Sequence, residues 1–142
     1  VINMLIDQLS VFVENKPGTL FEVLNDLAQK NINIRAMSLA DTADFGILRI
    51  IVNNPAEVEA DLKNSGFAVK TNKVLACRVA DVPGGLGKIV EVLAQNGINL
   101  EYLYGCASSP DNEAKIILKV DQIVAAEKAL QGCLTEDKKD LF

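Results

Sequence analysis

Two short turns, one in each half of the chain, carry the residues best suited to hold a small ligand. Residues 15–18 read Asn-Lys-Pro-Gly, and residues 81–85 read Asp-Val-Pro-Gly-Gly. Each turn precedes a predicted helix, whose unpaired backbone N–H groups and dipole favour an anion. Glycine lets a ligand approach the backbone because it has no Cβ, and Asn15 or Asp81 accepts a hydrogen bond from an ammonium group. Donors for a carboxylate beside an acceptor for an ammonium suit a free amino acid.

A second interpretation of the same residues involves no ligand. Asn15 and Asp81 would then be helix caps, and Gly18 and Gly84 would serve tight packing. A nucleotide site is not predicted, because the phosphate-binding loop requires Gly at position 82 and Ser or Thr at 89, where the chain has Val and Ile. The glycine pattern of dinucleotide-binding proteins fails as well, at Val90.

The composition excludes several kinds of catalytic and metal site. The chain of 142 residues contains no histidine, which rules out a Ser-His-Asp triad, a Cys-His dyad, a histidine general base and a Cys/His zinc site. Its cysteines, Cys77, Cys106 and Cys133, are 29 and 27 residues apart. This spacing fits neither a CxxC motif nor a closed set of disulfides. We expect buried, reduced thiols with apolar neighbours, and neither a metal nor a cofactor.

Charge and hydropathy restrict the partners of the chain. A net charge of −5 without a cluster of Lys and Arg does not suit a nucleic-acid-binding protein. Although 49% of the residues are hydrophobic, no apolar run approaches the roughly 20 residues that span a membrane. The first residues lack the basic segment and cleavage site of a signal peptide. We therefore expect a cytoplasmic protein with no nucleic-acid or membrane partner.

The chain contains an internal repeat. Residues 83–100 align with residues 17–34 at an offset of 66, and eight of the eighteen aligned pairs are identical. The second repeat then gains two residues before 114–120 align with 46–52. Two repeats are fewer than a solenoid requires. The sequence therefore predicts a duplicated domain, with modules at 1–71 and 72–142.

Each repeat has the same predicted order of secondary-structure elements. Apolar residues at helical spacing begin at Leu20, Pro17 is predicted at the first helical position, and Asn31 and Gly97 supply positive φ angles at the helix ends. Runs of β-branched and aromatic residues predict the strands. The predicted strands are 9–13, 32–40, 46–52 and 67–69 in the first repeat, and 74–79, 98–106, 114–120 and a weakly patterned 133–142 in the second; the second helices are 55–64 and 121–131.

The order β-α-β-β-α-β in both repeats predicts an α+β fold of two ferredoxin-like modules. Each module is expected to form an antiparallel sheet with two helices on one face. In the third strands, apolar residues alternate with Arg49 in the first repeat and with Lys115 and Lys119 in the second, which places the charges on the opposite face. Because few residues would cover that face, we expect the modules to associate and the chain to form a homodimer.

The two repeats resemble the ACT domain, a small regulatory module that binds amino acids. Residues 13–20 with 27–34 are most similar to the ACT domains of serine-binding phosphoglycerate dehydrogenases, and residues 81–86 with 96–100 are similar to the ACT repeats of aspartate kinases. The shared motif is Pro-Gly-x-Leu, followed about fifteen residues later by Ile-Asn. The resemblance covers nearly the whole chain.

The resemblance implies where a ligand would bind. In the ACT family the ligand lies between two modules packed side by side, near the first strand-to-helix turn of one and the second strand of its neighbour. Asn33 and Asn99 open the second strands and each offer a donor and an acceptor; alternatively, they are only turn residues. The implied ligand-binding residues are Asn15, Pro17, Gly18, Asn33, Asp81, Gly84, Gly85 and Asn99.

The resemblance also bears on which amino acid binds. Serine-binding dehydrogenases carry a histidine two residues before the position of Asn15, where this chain has Val13, so serine is not expected. Side chains on the second strands would set the specificity, and they favour an apolar or aromatic amino acid. These side chains are Met37, Leu39, Leu103 and Tyr104.

The function implied by the resemblance is that of a stand-alone, non-catalytic sensor. We expect it to bind a free amino acid between ACT modules and to regulate a separate enzyme. An alternative is a structural or assembly module that oligomerises without a ligand. A small enzyme on a ferredoxin-like scaffold is a weaker alternative, because no pair of carboxylates, and no nucleophile with a base, recurs in both repeats.

Overall fold

The structure, a computed structural model, describes residues 2–42, 44–106 and 113–131. It has the α+β fold that the sequence predicts, with the strand and helix order repeated. The first half contains β1 (Ile2–Glu14), α1 (Thr19–Gln29), β2 (Ile34–Asp41), β3 (Phe45–Val52), α2 (Pro55–Asn64) and β4 (Ala68–Ala80). The second half contains α3 (Gly85–Gln95), β5 (Leu100–Gly105), β6 (Glu113–Val120) and α4 (Ile123–Gln131).

The chain divides into two compact units that do not coincide with a single cut in the sequence. The first unit is Asp7–Asn72, and the second combines the start of β1, through Ile6, with the chain from Lys73 onward. Hydrogen-bonded strands follow the order β2-β3-β1-β4 in the first unit and β1-β4-β6-β5 in the second. The start of β1 thus takes the place beside β4 that a fourth strand would fill. The strand predicted at 133–142 lies outside the described residues, and the module bounds 1–71 and 72–142 stay a prediction.

Strand β4 is longer than the sequence pattern suggests. Residues 67–69 and 74–79 are predicted as separate strands, because the residues between them are polar. The structure instead has one strand, Ala68–Ala80, since solvent-exposed polar side chains do not prevent backbone pairing. Asn72 also has a structural role: its Oδ1 accepts a hydrogen bond at 3.3 Å from Nε2 of Gln8, whose side chain is fully buried.

The core of the first unit lies between the sheet and its two helices. Leu9 and Val11 of β1 lie opposite Ile50 and Leu48 of β3, and all four are buried. The helices complete this cluster with pairs of buried residues four positions apart, the spacing of one helix face. These pairs are Val23 and Leu27 in α1, and Val58 and Leu62 in α2.

The second unit has an equivalent core. Leu75 and Cys77 of β4 pair with Leu118 and Ile116 of β6, and the buried helix residues are Ile89 and Leu93 in α3 with Ala126 and Leu130 in α4. Each helix again contributes two positions at i and i+4. The alternation predicted for the third strands is therefore confirmed on the helix-facing side of both units.

The opposite sheet face is less polar than the alternation predicts. Arg49, Lys115 and Lys119 are half-buried there, as expected from their position in the strands. The same face, however, also carries Ile51 and Ile117, which are 4% and 0% exposed. A strand whose two faces are both partly buried loses its clean apolar-polar alternation.

Glycines fix where the first helix of each repeat begins. Gly18 (φ 91°) and Gly84 (φ 83°) are the N-cap residues, and the helices begin at Thr19 and Gly85. Pro17 consequently lies two residues before the helix, and the prediction that it occupies the first helical position was wrong, because the left-handed glycine after it cannot be part of a right-handed helix.

The prediction for the helix ends is confirmed. Asn31 (φ 58°) and Gly97 (φ 67°) adopt positive φ angles after α1 and α3. In each case the next residue closes the turn with a backbone hydrogen bond to a carbonyl of the helix, from Ile32 to Leu27 and from Ile98 to Leu93, both at 2.9 Å.

The described cysteines differ in exposure. Cys77 is fully buried in the second core, and burial raises the pKa of its thiol to about 12. Cys106 is half-buried. Neither forms a disulfide within the described residues, so both are reduced as predicted, but the predicted burial holds only for Cys77; Cys133 lies outside the described residues.

Candidate functional site

The first candidate turn is closed by a threonine side chain. It runs from the end of β1 at Glu14 to the start of α1 at Thr19, and Gly18 caps the helix without a side-chain hydrogen bond. The hydroxyl of Thr19 donates to the backbone oxygens of Glu14 at 2.5 Å and Lys16 at 3.1 Å. The hydroxyl therefore points back into the turn and leaves the first N–H groups of the helix without a side-chain cap.

The second candidate turn is closed by backbone alone. Gly85 donates its N–H to the carbonyl oxygen of Val82 at 3.0 Å, and a Cβ on Gly85 would lie 2.2 Å from the carbonyl oxygen of Ala80. Gly84 again caps the helix without a side-chain hydrogen bond. At the offset of 66, Gly85 corresponds to Thr19. The equivalent turns are therefore closed by different hydrogen bonds, from a side-chain hydroxyl in the first repeat and from a backbone N–H in the second.

Asn15 and Asp81 do not cap the helices, which contradicts the interpretation of these two residues as helix caps. Both are exposed, and the N-cap positions belong to Gly18 and Gly84. Within the described ranges neither side chain makes a hydrogen bond, although the backbone N–H of Asn15 donates to Asp44 at 3.4 Å. Both polar groups remain accessible to a ligand at the turn.

The structure does not bring the turns together with the predicted asparagines within one unit. Asn33 is exposed and follows α1, whereas Gly18 precedes it. Eleven helical residues separate the two ends, about 16 Å at 1.5 Å per residue. The first unit alone therefore does not place Gly18 and Asn33 against one small ligand.

Asn99 has a structural contact that Asn33 lacks in the described chain. The backbone N–H of Asn99 donates to Oδ1 of Asp121 at 3.0 Å, and its carbonyl oxygen accepts from the N–H of Asp121 at 3.2 Å. The backbone of Asn99 thus holds the start of β5 against the end of β6. Its side chain is exposed and carries none of these bonds.

A cleft of about 440 Å³ adjoins the first turn and was not predicted from the sequence. Two glutamates and three phenylalanines dominate its lining, which comprises residues 12–14, Thr19, Glu22, Phe45 and 65–68. A signal for it was present in the sequence. Phe12, Phe45 and Phe67 all belong to the first repeat, and none has a phenylalanine counterpart in the second.

A polar network holds one wall of this cleft. Nζ of Lys30 donates to Oγ of Ser65 at 2.9 Å, to Oδ2 of Asp26 at 3.0 Å and to the carbonyl oxygen of Asp61 at 3.3 Å. The Ser65 hydroxyl donates in turn to Oδ1 of Asp26 at 3.2 Å. The network ties the turn after α2, which lines the cleft at Ser65, to α1.

The second unit does not reproduce the chemistry of the cleft. Strand register places Arg78 and Glu113 at the positions of Phe12 and Phe45, and Nε of Arg78 lies 3.0 Å from Oε2 of Glu113. An ion pair therefore replaces two aromatic rings. Lys88 stands at the position of Glu22, which reverses the charge.

The side chains expected to set ligand specificity are not equally available. Met37, Leu39 and Leu103 are large exposed apolar residues, whereas Tyr104 is 8% exposed. Tyr104 stacks on Tyr102 with 6.5 Å between ring centroids. Three of the four predicted residues are therefore exposed at the surface, and the fourth is not.

No described helix is long and apolar enough to cross a membrane. Within the same residues, no group of three or more His, Cys, Asp or Glu is arranged to hold a metal ion.

Comparison with solved structures places this geometry among known proteins. Protein BT0572 from Bacteroides thetaiotaomicron is similar, with a TM-score of 0.85, 37% sequence identity, and coverage of 92% of this chain and 90% of that one. The regulatory subunit of aspartate kinase from Thermus thermophilus, in a ligand-free form, gives a TM-score of 0.62 at 14% identity, with coverage of 94% of this chain and 97% of that subunit. The corresponding subunit from Thermus flavus gives 0.58 at 15% identity, with coverage of 92% and 95%.

At such low identity the two aspartate kinase subunits show a shared fold. Among curated proteins, no significant match is found. The family model for an ACT domain pair, however, matches residues 4–136, almost the entire chain. The chain therefore belongs to the ACT domain family, as a pair of ACT domains.

Proposed function

We propose that this ACT domain pair is a cytoplasmic, non-catalytic sensor that binds a free amino acid and regulates a separate enzyme. The observation that carries the proposal is the repeated turn. In both repeats a left-handed glycine, Gly18 or Gly84, caps the helix and no side chain does so. Backbone donors for a carboxylate and an exposed Asn15 or Asp81 for the ammonium group then lie at the same turn.

The separation of the predicted residues favours a site shared between two molecules. Asn33 lies at the far end of α1 from Gly18, so one module does not supply both halves of the site. In the first unit β2 is an edge strand, and it exposes Met37 and Leu39. We propose that a homodimer places this strand beside the turn of a second molecule, and that the apolar side chains select an apolar or aromatic amino acid.

The known relatives are consistent with a regulatory role. Two of the similar solved structures are regulatory subunits of aspartate kinase, and this chain spans nearly their full length. Regulation of a separate enzyme by this chain is our proposal.

A ligand screen tests the sensor. Thermal unfolding in the presence of each of the twenty amino acids should show stabilisation by one or a few. A ligand at about 100 times its Kd adds about 2.7 kcal/mol to the free energy of unfolding. Asn15→Ala and Asn33→Ala should abolish the shift, whereas Asn25→Ala, an exposed asparagine on α1, should retain it.

An assembly module without a ligand is the second candidate, and the exposed apolar side chains of β2 favour it. Sedimentation of the protein with and without amino acids separates the two functions. A dimer that forms equally well in both conditions, together with unchanged melting for all twenty amino acids, would favour the assembly function over the sensor.

A further inference from the structure

We propose that the 440 Å³ cleft of the first unit binds an organic cation, namely an ammonium group on an apolar body that carries no carboxylate. This site is separate from the amino-acid site proposed above and does not depend on it. Its recognition elements are Glu14, Glu22, Phe12, Phe45 and Phe67, none of which belongs to the residues predicted to bind the amino acid.

The charge of the lining selects a cation. Glu14 and Glu22 line the cleft, and no lysine or arginine does. In the part of the chain that the structure describes, the carboxylate of Glu22 has no hydrogen-bond or ion-pair partner. Glu14 pairs with Lys16 at 3.0 Å, but these side chains are 64% and 62% exposed, and such a surface pair is weak enough for a bound ammonium group to replace it.

The aromatic residues supply the rest of the recognition. Phe45 is 51% exposed, and Phe12 and Phe67 are half-buried. Aromatic faces attract ammonium groups and also bury apolar carbon. A cleft of this volume lies within the range of small-molecule sites. A free amino acid fits less well, because two carboxylates of the lining repel its α-carboxylate.

The second unit shows that this chemistry is not a requirement of the fold. The positions of Phe12 and Phe45 hold the Arg78–Glu113 ion pair there, and Lys88 replaces Glu22. The same scaffold therefore exists without the aromatic and acidic lining. The first unit has a distinct surface that backbone geometry alone does not explain.

Calorimetric titration of the full chain with four related probes tests the proposal. The probes are phenethylammonium, its neutral analogue 2-phenylethanol, the anion 3-phenylpropionate, and phenylalanine. We expect phenethylammonium to bind at least about 10-fold more tightly than 2-phenylethanol, and 3-phenylpropionate not to bind. Any binding of phenylalanine belongs to the amino-acid site of the proposed sensor, so phenylalanine and phenethylammonium should not compete.

Variants locate the binding in the cleft. Glu22→Gln should weaken the binding of phenethylammonium about 5-fold, and Phe45→Leu should weaken it about 3-fold. Glu57→Gln is the matched control, because Glu57 is also an acidic residue in the first turn of a helix but does not line the cleft. This variant should bind phenethylammonium with the same affinity as the parent protein. Circular dichroism checks that each variant is folded.

Three results would overturn the proposal: equal affinity for phenethylammonium and 2-phenylethanol, an unchanged affinity in Glu22→Gln, or no binding of the amine at all. A failure of the cleft proposal can be distinguished from a failure of the sensor proposal. Loss of amino-acid binding in Asn15→Ala or Asn33→Ala concerns only the sensor, whereas loss of amine binding in Glu22→Gln concerns only the cleft.

Discussion

The carbonyl oxygen of Ala80 lies 2.2 Å from the point that a Cβ on Gly85 would occupy. In the first repeat the corresponding residues are Glu14 and Thr19, and the threonine hydroxyl bonds to that carbonyl instead. Two sequences thus close one kind of turn either by direct backbone approach or through a hydroxyl. The difference determines which substitutions each turn tolerates.

Gly85→Ala should destabilise the protein. Because the contact is with backbone, the turn itself must move, and we expect a loss of about 1–3 kcal/mol in the free energy of unfolding. Gly87→Ala is the matched control, since a Cβ there meets no atom within 4 Å and alanine is the better helix former. Urea unfolding of both variants is the measurement. Equal urea midpoints for Gly85→Ala and Gly87→Ala would show that the close approach of Gly85 to Ala80 does not affect stability.

Thr19→Val should weaken the first turn. Valine keeps the shape of the side chain but loses the hydrogen bonds to Glu14 and Lys16, which should lower the free energy of unfolding by about 1 kcal/mol. Thr19→Ser retains the hydroxyl and should lose less. Thermal unfolding of the two variants against the parent distinguishes a hydrogen-bonding role from a packing role, in which Ser would be the more harmful change.

Gly97→Ala should lower the free energy of unfolding by about 1 kcal/mol, because an L side chain at φ 67° is strained. Asn31→Gly at the equivalent position should be neutral or slightly stabilising. Gly105→Ala serves as the control, since that glycine has no positive φ and no atom within 4 Å of an added Cβ. If Gly105→Ala had a lower unfolding midpoint than Gly97→Ala, the assignment of strain to the end of α3 would be contradicted.

Alkaline pH should destabilise the protein through Cys77. Burial raises the pKa of this thiol from 9.0 to about 12, so between these values the unfolded chain releases a proton that the folded chain retains. Stability therefore falls as pH rises through that window, by about 1.4 kcal/mol one pH unit above the unfolded pKa. Urea unfolding at pH 8 and pH 10 measures the loss.

The control for this pH dependence is Cys77→Ala. It is expected to be less stable at both pH values, because it leaves a cavity in the core, but its stability should change less between them. An identical pH dependence in the parent and the variant would assign the effect to other groups.

Periodicity and the repeat predicted the four helices, most of the strands and the helix-facing cores. Leu48 and Ile50 in the first unit, and Leu118 in the second, are buried as their alternation indicates. Local patterns could not reveal that β4 is continuous through Asn72 or that β1 begins at Ile2. Both strands are set by pairing between residues far apart in sequence, and polar residues within them carry no local signal for strand.

The candidate site was predictable only in part. The Pro-Gly motif located both turns, but the left-handed conformation of Gly18 and Gly84 was not predicted, because Pro17 was expected at the first helical position. The cleft was not foreseen, because Phe12, Phe45 and Phe67 lie on different elements and come together only in the folded unit. The exposure of Asn15 and Asp81 likewise depends on which residue caps the helix, and the sequence allowed more than one candidate.

The division of β1 between two units has a consequence for the order in which the protein is made. The second unit requires the residues through Ile6, yet its remaining chain begins at Lys73, 67 residues later. At about 5–20 residues per second, several seconds pass on the ribosome before the partner of the first strand residues is synthesised. The chain of the first unit has by then been synthesised through Asn72, whereas residues 2–6 still await the strand beside which they belong. Residues 2–6 are therefore made before the first unit, but their partner strand is complete only after the chain of that unit.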